Sequence, residues 1–138
     1  GMVGPFADWD EARVYLKSAS AEIFPDWQDA QWADFARQCY VERDGQVIVD
    51  YDPQIAESLA AENNDTEADA LWSLFAAMSA VPSLLIRGEL TDLLTESCVA
   101  KMCEGHPDMA VLSVPRVGHA PMLNESGVTE AICEFLTA

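Results

Sequence analysis

The apolar positions of the chain change rhythm near Pro82. Before it they recur mostly at helical intervals. Asp8 and Glu11 have the spacing of a capping box, and Trp9, Ala12, Leu16 and Ala19 follow on one helical face. Pro25 ends that helix, and a second is expected from near Asp26, with Trp32, Phe35, Ala36 and Cys39 on one face. The stretch "YVERDGQVIVDYD" then alternates, and Asp44-Gly45 between its arms predicts a two-residue hairpin. Asp52-Pro53 opens a further short helix through Ala61, and "AENNDT" reads as a loop. Thr66 caps a helix whose Leu71, Trp72, Phe75 and Met78 form an apolar stripe, which at this spacing is expected to be core.

After Pro82 the pattern becomes strand, helix, strand, helix. "SLLIRG" and "MAVLSVP" are short apolar runs of the kind that form strands buried on both faces. Thr95 starts a helix that Gly105 is placed to cap. The last helix is expected from about Ser126, with Val128, Ile132, Phe135 and Leu136 inward. Two buried strands joined by a helix make a right-handed parallel crossover. The fold class is therefore α/β. A mainly helical segment with one hairpin (1–81) precedes a parallel strand-helix-strand-helix unit (82–138).

Composition narrows the function. At 138 residues, half of them apolar, the chain has material for one domain with a real core. The formal charge is −17, from 24 acidic and 7 basic residues. Such a surface repels phosphate backbones and anionic lipid, so nucleic-acid and membrane partners are not expected. No apolar run approaches the ~18 residues of a membrane span, and "GMVGPF" has neither the basic nor the apolar region of a signal peptide. Gly1 ahead of Met2 reads as an expression scar, and the expected location is cytoplasmic. Cys39, Cys98, Cys103 and Cys133 show no C-x-x-C pairing and are expected to be reduced, mostly buried small hydrophobes. With two histidines and no ligand spacing, neither a metal site nor a cofactor is expected.

The chemistry gathers after the two predicted strands. In open parallel sheets, functional groups collect beyond the carboxyl ends of the strands. Gly88 ends the first strand and is followed by Glu89 and Asp92; Pro115 ends the second and is followed by "RVGHAPMLNE", with His119. A carboxylate and an imidazole 27 positions apart thus reach one edge, as an orienting acid and a general base require. His106, before Pro107, sits in a connecting loop with no expected role, and Glu125 reads as a helix N-terminal charge.

Residues 82–138 resemble the C-terminal end of the α/β-hydrolase superfamily. "VPSLLIRGELTDLLT" is similar to its seventh strand with the triad acid, and "VPRVGHAPMLNE" to its eighth strand and GH-x-P histidine loop. The resemblance implies Asp92 as acid and His119 as base. Asp92 lies four residues after the strand-ending glycine where many members have three, so Glu89 remains the alternative acid. The segment before Pro82 resembles part of the lid of many members, and the lid aromatics Trp9, Trp27, Trp32, Trp72 and Phe75 are expected to shape an apolar cleft.

The family's nucleophile stands in a G-x-S-x-G elbow. No two glycines of this chain are four apart, so the elbow is absent. The resemblance implies the C-terminal portion of a serine-type hydrolase for a small ester, lactone or C–C-bonded carbonyl substrate, inactive alone. The alternative is a non-catalytic binding or assembly domain derived from that fold. Without the family's sixth strand, one edge of "SLLIRG" is expected to be open. The expected partner is a second copy, paired through that edge or the lid, or an N-terminal hydrolase half.

Overall fold

Residues 4–52, 54 and 66–138 are described in the computed structural model. They fall into two units, Gly1–Asn63 and Asn64–Ala138.

The first unit is built on two helices and a hairpin. Helix α1 (Trp9–Ser20) is capped by Asp8, whose carboxylate accepts the Glu11 N–H. The Glu11 carboxylate accepts in turn from Ala7 N–H at 2.7 Å, one residue earlier than the usual reciprocal bond. Helix α2 (Asp29–Cys39) starts three residues later than its pattern predicts. The intervening chain is a turn in which Ile23 and Phe24 N–H bond Ser20 C=O and Trp27 N–H bonds Phe24 C=O. Strands β1 (Tyr40–Arg43) and β2 (Gln46–Val49) pair antiparallel, Tyr40 opposite Val49. Asp44 and Gly45 both take positive φ, +53° and +75°, the backbone twist that a tight two-residue hairpin needs.

Phe6, Ala12, Leu16, Phe24, Trp32, Ala36, Tyr40 and Val47 form the core of this unit. Trp32 is 1% exposed, and Trp27 stacks on Phe24 with ring centroids 3.8 Å apart. These two tryptophans hold an aromatic core together rather than lining a cleft, which corrects the expectation for them. Trp9 is also engaged locally: its indole N–H donates to Glu42 at 3.2 Å, and the Arg37 guanidinium lies 4.8 Å from its ring. The Tyr40 hydroxyl is buried with no partner, and burial pushes its pKa up to about 12. On the surface, Lys17 and Arg13 of α1 meet Asp29 at 2.7 and 3.5 Å. The hydrogen bond and charge of Lys17 lower the Asp29 pKa. The short helix expected from Asp52 through Ala61, and the loop after it, lie outside the described residues.

The second unit contains α3 (Thr66–Ala77), β3 (Leu84–Gly88), α4 (Glu96–Gly105), β4 (Ala110–Val114) and α5 (Val128–Thr137). Strands β3 and β4 are parallel, in register from Leu84↔Ala110 to Gly88↔Val114. Thr95 caps α4 by accepting the Cys98 N–H, and the helix ends with His106 N–H on Met102 C=O. Helix α5 begins after Gly127, whose φ of +81° is the left-handed conformation that glycine adopts without a steric penalty.

Burial in this unit departs from the pattern. Strand β3 is half-buried apart from the buried Gly88, and Val111 of β4 is 43% exposed. Leu71 and Met78 of the α3 stripe are exposed, as are Cys133 and, at 73%, Leu136. Cys39, Cys98 and Cys103 are half-buried, and all four thiols are free. Among the described residues of this unit, the buried apolar side chains are Met109, Val114, Val117 and Val128. Two strands and three helices leave the outer apolar positions without a covering layer. His106 is buried instead: its Nε2 donates to Val81 C=O at 2.9 Å and its ring packs against Phe75. No helix among the described residues is long and apolar enough to cross a membrane.

Candidate active site

The carboxyl edge of the β3–β4 sheet is assembled by backbone contacts. Glu89 N–H extends the ladder to Val114 C=O at 2.8 Å, and Leu90 N–H crosses to Val117 C=O at 2.9 Å. The chain leaving β4 then runs directly over Gly88. A Cβ on Gly88 would lie 2.1 Å from Gly118 O and 2.4 Å from Val117 O. Only glycine allows that approach, and the approach sets the loop before His119 against the end of β3.

A third tie comes from Glu89. Its Oε2 accepts the Arg116 N–H at 2.9 Å, across the 27 positions that separate the two loops in sequence. Arg116 has a φ of +56°, an uncommon backbone for a residue with a side chain, and Leu123 on the far side of His119 has +65°. Glu125 Oε1 accepts the Met122 N–H at 2.8 Å, and Thr129 Oγ1 donates to Leu123 C=O at 3.2 Å. Glu125 thus closes the histidine loop, a role more specific than a helix N-terminal charge.

The loop of Asp92 is tied down on both sides. The buried Thr91 accepts the N–H groups of Leu93 and Leu94 at its Oγ1, each at 3.3 Å. Arg87 reaches from β3 to donate its Nε–H to Leu94 C=O at 2.7 Å. These bonds make a tight turn with Asp92 near its tip, a hydroxyl-directed turn of familiar type.

Asp92 and His119 therefore stand on neighbouring loops at one sheet edge. Both side chains are exposed, and no hydrogen bond joins them. Glu89, the alternative acid, has its carboxylate engaged with the histidine loop backbone. An imidazole hydrogen-bonded to a carboxylate can take a proton from a hydroxyl while the acid fixes its tautomer; here the two residues share a sheet edge without that bond. The serine nearest in sequence to Asp92, Ser97, hydrogen-bonds the cap hydroxyl of Thr95 at 3.0 Å. No three His, Cys, Asp or Glu side chains among the described residues cluster as metal ligands.

The sequence pattern missed Thr91, Arg87 and Glu89 as the residues that hold the two loops. Thr91 carried a usable signal, since a threonine before a polar turn often bonds the N–H groups that follow. The Glu89 bond to Arg116 carried none, because nothing local in sequence relates them.

No family model matches the chain. It is 28% identical over 144 residues to the 3-hydroxybutyrate-oligomer hydrolase of Cupriavidus necator, covering 99% of this chain and 48% of that protein. An α/β hydrolase from Novosphingobium aromaticivorans superposes with a TM-score of 0.85 at 35% identity, covering 97% of this chain and 47% of that one. E-2-(acetamidomethylene)succinate hydrolase superposes with a TM-score of 0.70 at 23% identity, over 99% and 48%. The chain thus spans about half the length of each relative it matches. Parallel strands and relatives agree: the chain shows part of the α/β-hydrolase fold, and a C-terminal fragment of that superfamily fits it.

Proposed function

We propose that this chain supplies the acid and the base of a serine-type hydrolase site, with Asp92 orienting His119 and the nucleophile contributed by another segment. One observation carries the reading. Two parallel strands deliver both loops to the same edge, and the Gly88–Gly118 approach holds them side by side. His119 is the base that accepts the nucleophile's proton and later returns it to the leaving group. Asp92 stabilises the imidazolium that forms in between. Glu89 and Thr91 are positioning residues, one for each loop. The substrate class that fits best is a small ester, in keeping with the name of the Cupriavidus relative, a 3-hydroxybutyrate-oligomer hydrolase.

The test uses the purified chain and short acyl esters. Alone, it is expected to turn over no more ester than its His119→Ala variant, because no G-x-S-x-G elbow is present in the sequence. Turnover abolished by that substitution would contradict the division of labour and make Ser97 and Cys98 the nucleophiles to examine.

A further inference from the structure

One cavity of the second unit is lined by residues of the strand-helix-strand crossover alone. Strands β3 and β4 set Arg87 beside Ser113, and Val111, two residues before Ser113, shares its face of the sheet. These three side chains line one side of a cavity of about 250 Å³, and Glu96 and Val99, one turn apart on α4, line the other. Arg87 is half-buried. Its Nε–H is engaged by Leu94 C=O, and its guanidinium forms no ion pair among the described residues. That is unusual in a chain with 24 acidic and 7 basic residues. Arg13, Lys17 and Arg43 meet carboxylates, and Arg37 and Lys101 lie over tryptophan rings. Glu96 also lacks a hydrogen bond or ion pair among the described residues. A cation and an anion thus line one cavity without pairing with each other.

We propose that this cavity binds a small zwitterion, an amino acid with a short apolar side chain. The ligand carboxylate meets the Arg87 guanidinium, whose planar fork suits a carboxylate, and the Ser113 hydroxyl adds a donor. The ligand ammonium meets Glu96, and its side chain lies against Val99 and Val111. Charge favours this class over a plain anion. An anion would meet both the Glu96 carboxylate and the field of a chain carrying −17. A zwitterion has no net charge to be repelled and brings a partner to each unpaired group. The position of Glu96 in the first turn of α4 also suits the helix dipole, but the dipole does not account for the unpaired Arg87 opposite. The cavity is smaller than the ~300–1,000 Å³ typical of drug-sized ligands, as a small metabolite requires.

The experiment titrates L-valine into the isotope-labelled full chain and follows amide chemical shifts. Isovalerate, which lacks the ammonium, and isobutylamine, which lacks the carboxylate, serve as half-ligands. L-valine is expected to give saturable shifts at Val99, Val111 and Ser113, and each half-ligand to bind ~10-fold or more weakly, the loss of one charge-assisted contact. Glu96→Gln, at an exposed position, is expected to weaken L-valine by ~10-fold while isovalerate binds as well as before or better. Arg87→Gln is expected to abolish binding of L-valine and isovalerate alike. Because Arg87 also holds Leu94 C=O, the Glu96→Gln comparison carries the test if that second variant does not fold. No saturable shift at these amides overturns the proposal. So does isovalerate binding as tightly as L-valine, which would make the cavity an anion site, and so does parent affinity for L-valine in Glu96→Gln.

Discussion

The two units of this chain solve the burial problem differently. The first closes on itself: an aromatic core of Phe6, Phe24, Trp32 and Tyr40 is covered by two helices and a hairpin. The second leaves much of its apolar surface in water. Of the large hydrophobic side chains exposed among the described residues, Val14 and Tyr51 belong to the first unit. Leu71, Leu74, Met78, Val81, Leu93 and Leu136 are among those in the second. The second unit also carries the candidate acid and base. The sheet of the second unit has two strands among the described residues, and the candidate acid and base loops leave its carboxyl edge.

Substitutions at matched apolar positions probe that contrast most strongly. Trp32→Ala removes a large side chain from a closed core and is expected to cost ~3–5 kcal/mol in urea unfolding. Leu71→Ala or Leu136→Ala in the free chain is expected to fall within ~0.5 kcal/mol of the parent, because little burial is lost. Equal costs at the two kinds of position would erase the distinction between the units.

The next largest effect is expected at the loop junction. Gly88→Ala places a methyl group against two backbone carbonyl oxygens, which cannot turn aside as a side chain can. The expected cost is ~3 kcal/mol or more, with amide chemical-shift changes concentrated at Val117 to His119. A variant as stable as the parent, with those shifts unmoved, would mean that the approach of the two loops is not enforced at Gly88.

These contrasts also show how far the sequence can be read. Elements governed by local chemistry were legible: the Asp44-Gly45 hairpin, the caps Asp8 and Thr95, and the parallel pair after Pro82. The placement of Asp92 and His119 on neighbouring loops followed from strand order alone. Burial did not follow. An apolar run such as "SLLIRG" or "MAVLSVP" says that a strand is suited to being covered, not that its cover lies in the same chain. The exposure of Val111, Cys133 and Leu136 is the result. Trp27 and Trp32 escaped for the opposite reason: helical spacing places Trp32 on a face but cannot say whether that face meets a core or a cleft, and Trp27 lies in the turn before α2, where no spacing applies.

A smaller effect separates the units by pH. The buried Tyr40 keeps its proton to about pH 12 when folded, against an ordinary value of 10. Its contribution is intact below pH 10. Between about 10 and 12 the unfolded chain loses the proton and the folded chain does not, so stability falls as pH rises through that window. Tyr40→Phe removes the unpartnered hydroxyl and should flatten this alkaline loss, while changing stability at neutral pH by no more than ~1 kcal/mol. Unfolding midpoints from pH 8 to 12 make the comparison, and an unchanged alkaline slope in the variant would contradict the assignment to Tyr40.

The assignment of Asp92 and His119 is tested most directly by ester hydrolysis in a fusion that places this chain after the part of the Novosphingobium hydrolase lying outside the match, as the source of a nucleophile. His119→Ala and Asp92→Asn are each expected to lower kcat by ~10⁴-fold, as the loss of a triad base or its orienting acid does in other hydrolases. Glu89→Gln, which keeps an oxygen for the Arg116 N–H, is expected to stay within ~10-fold of the parent. Full activity in Asp92→Asn with collapse in Glu89→Gln would move the acid to Glu89. Full activity in His119→Ala would contradict the account.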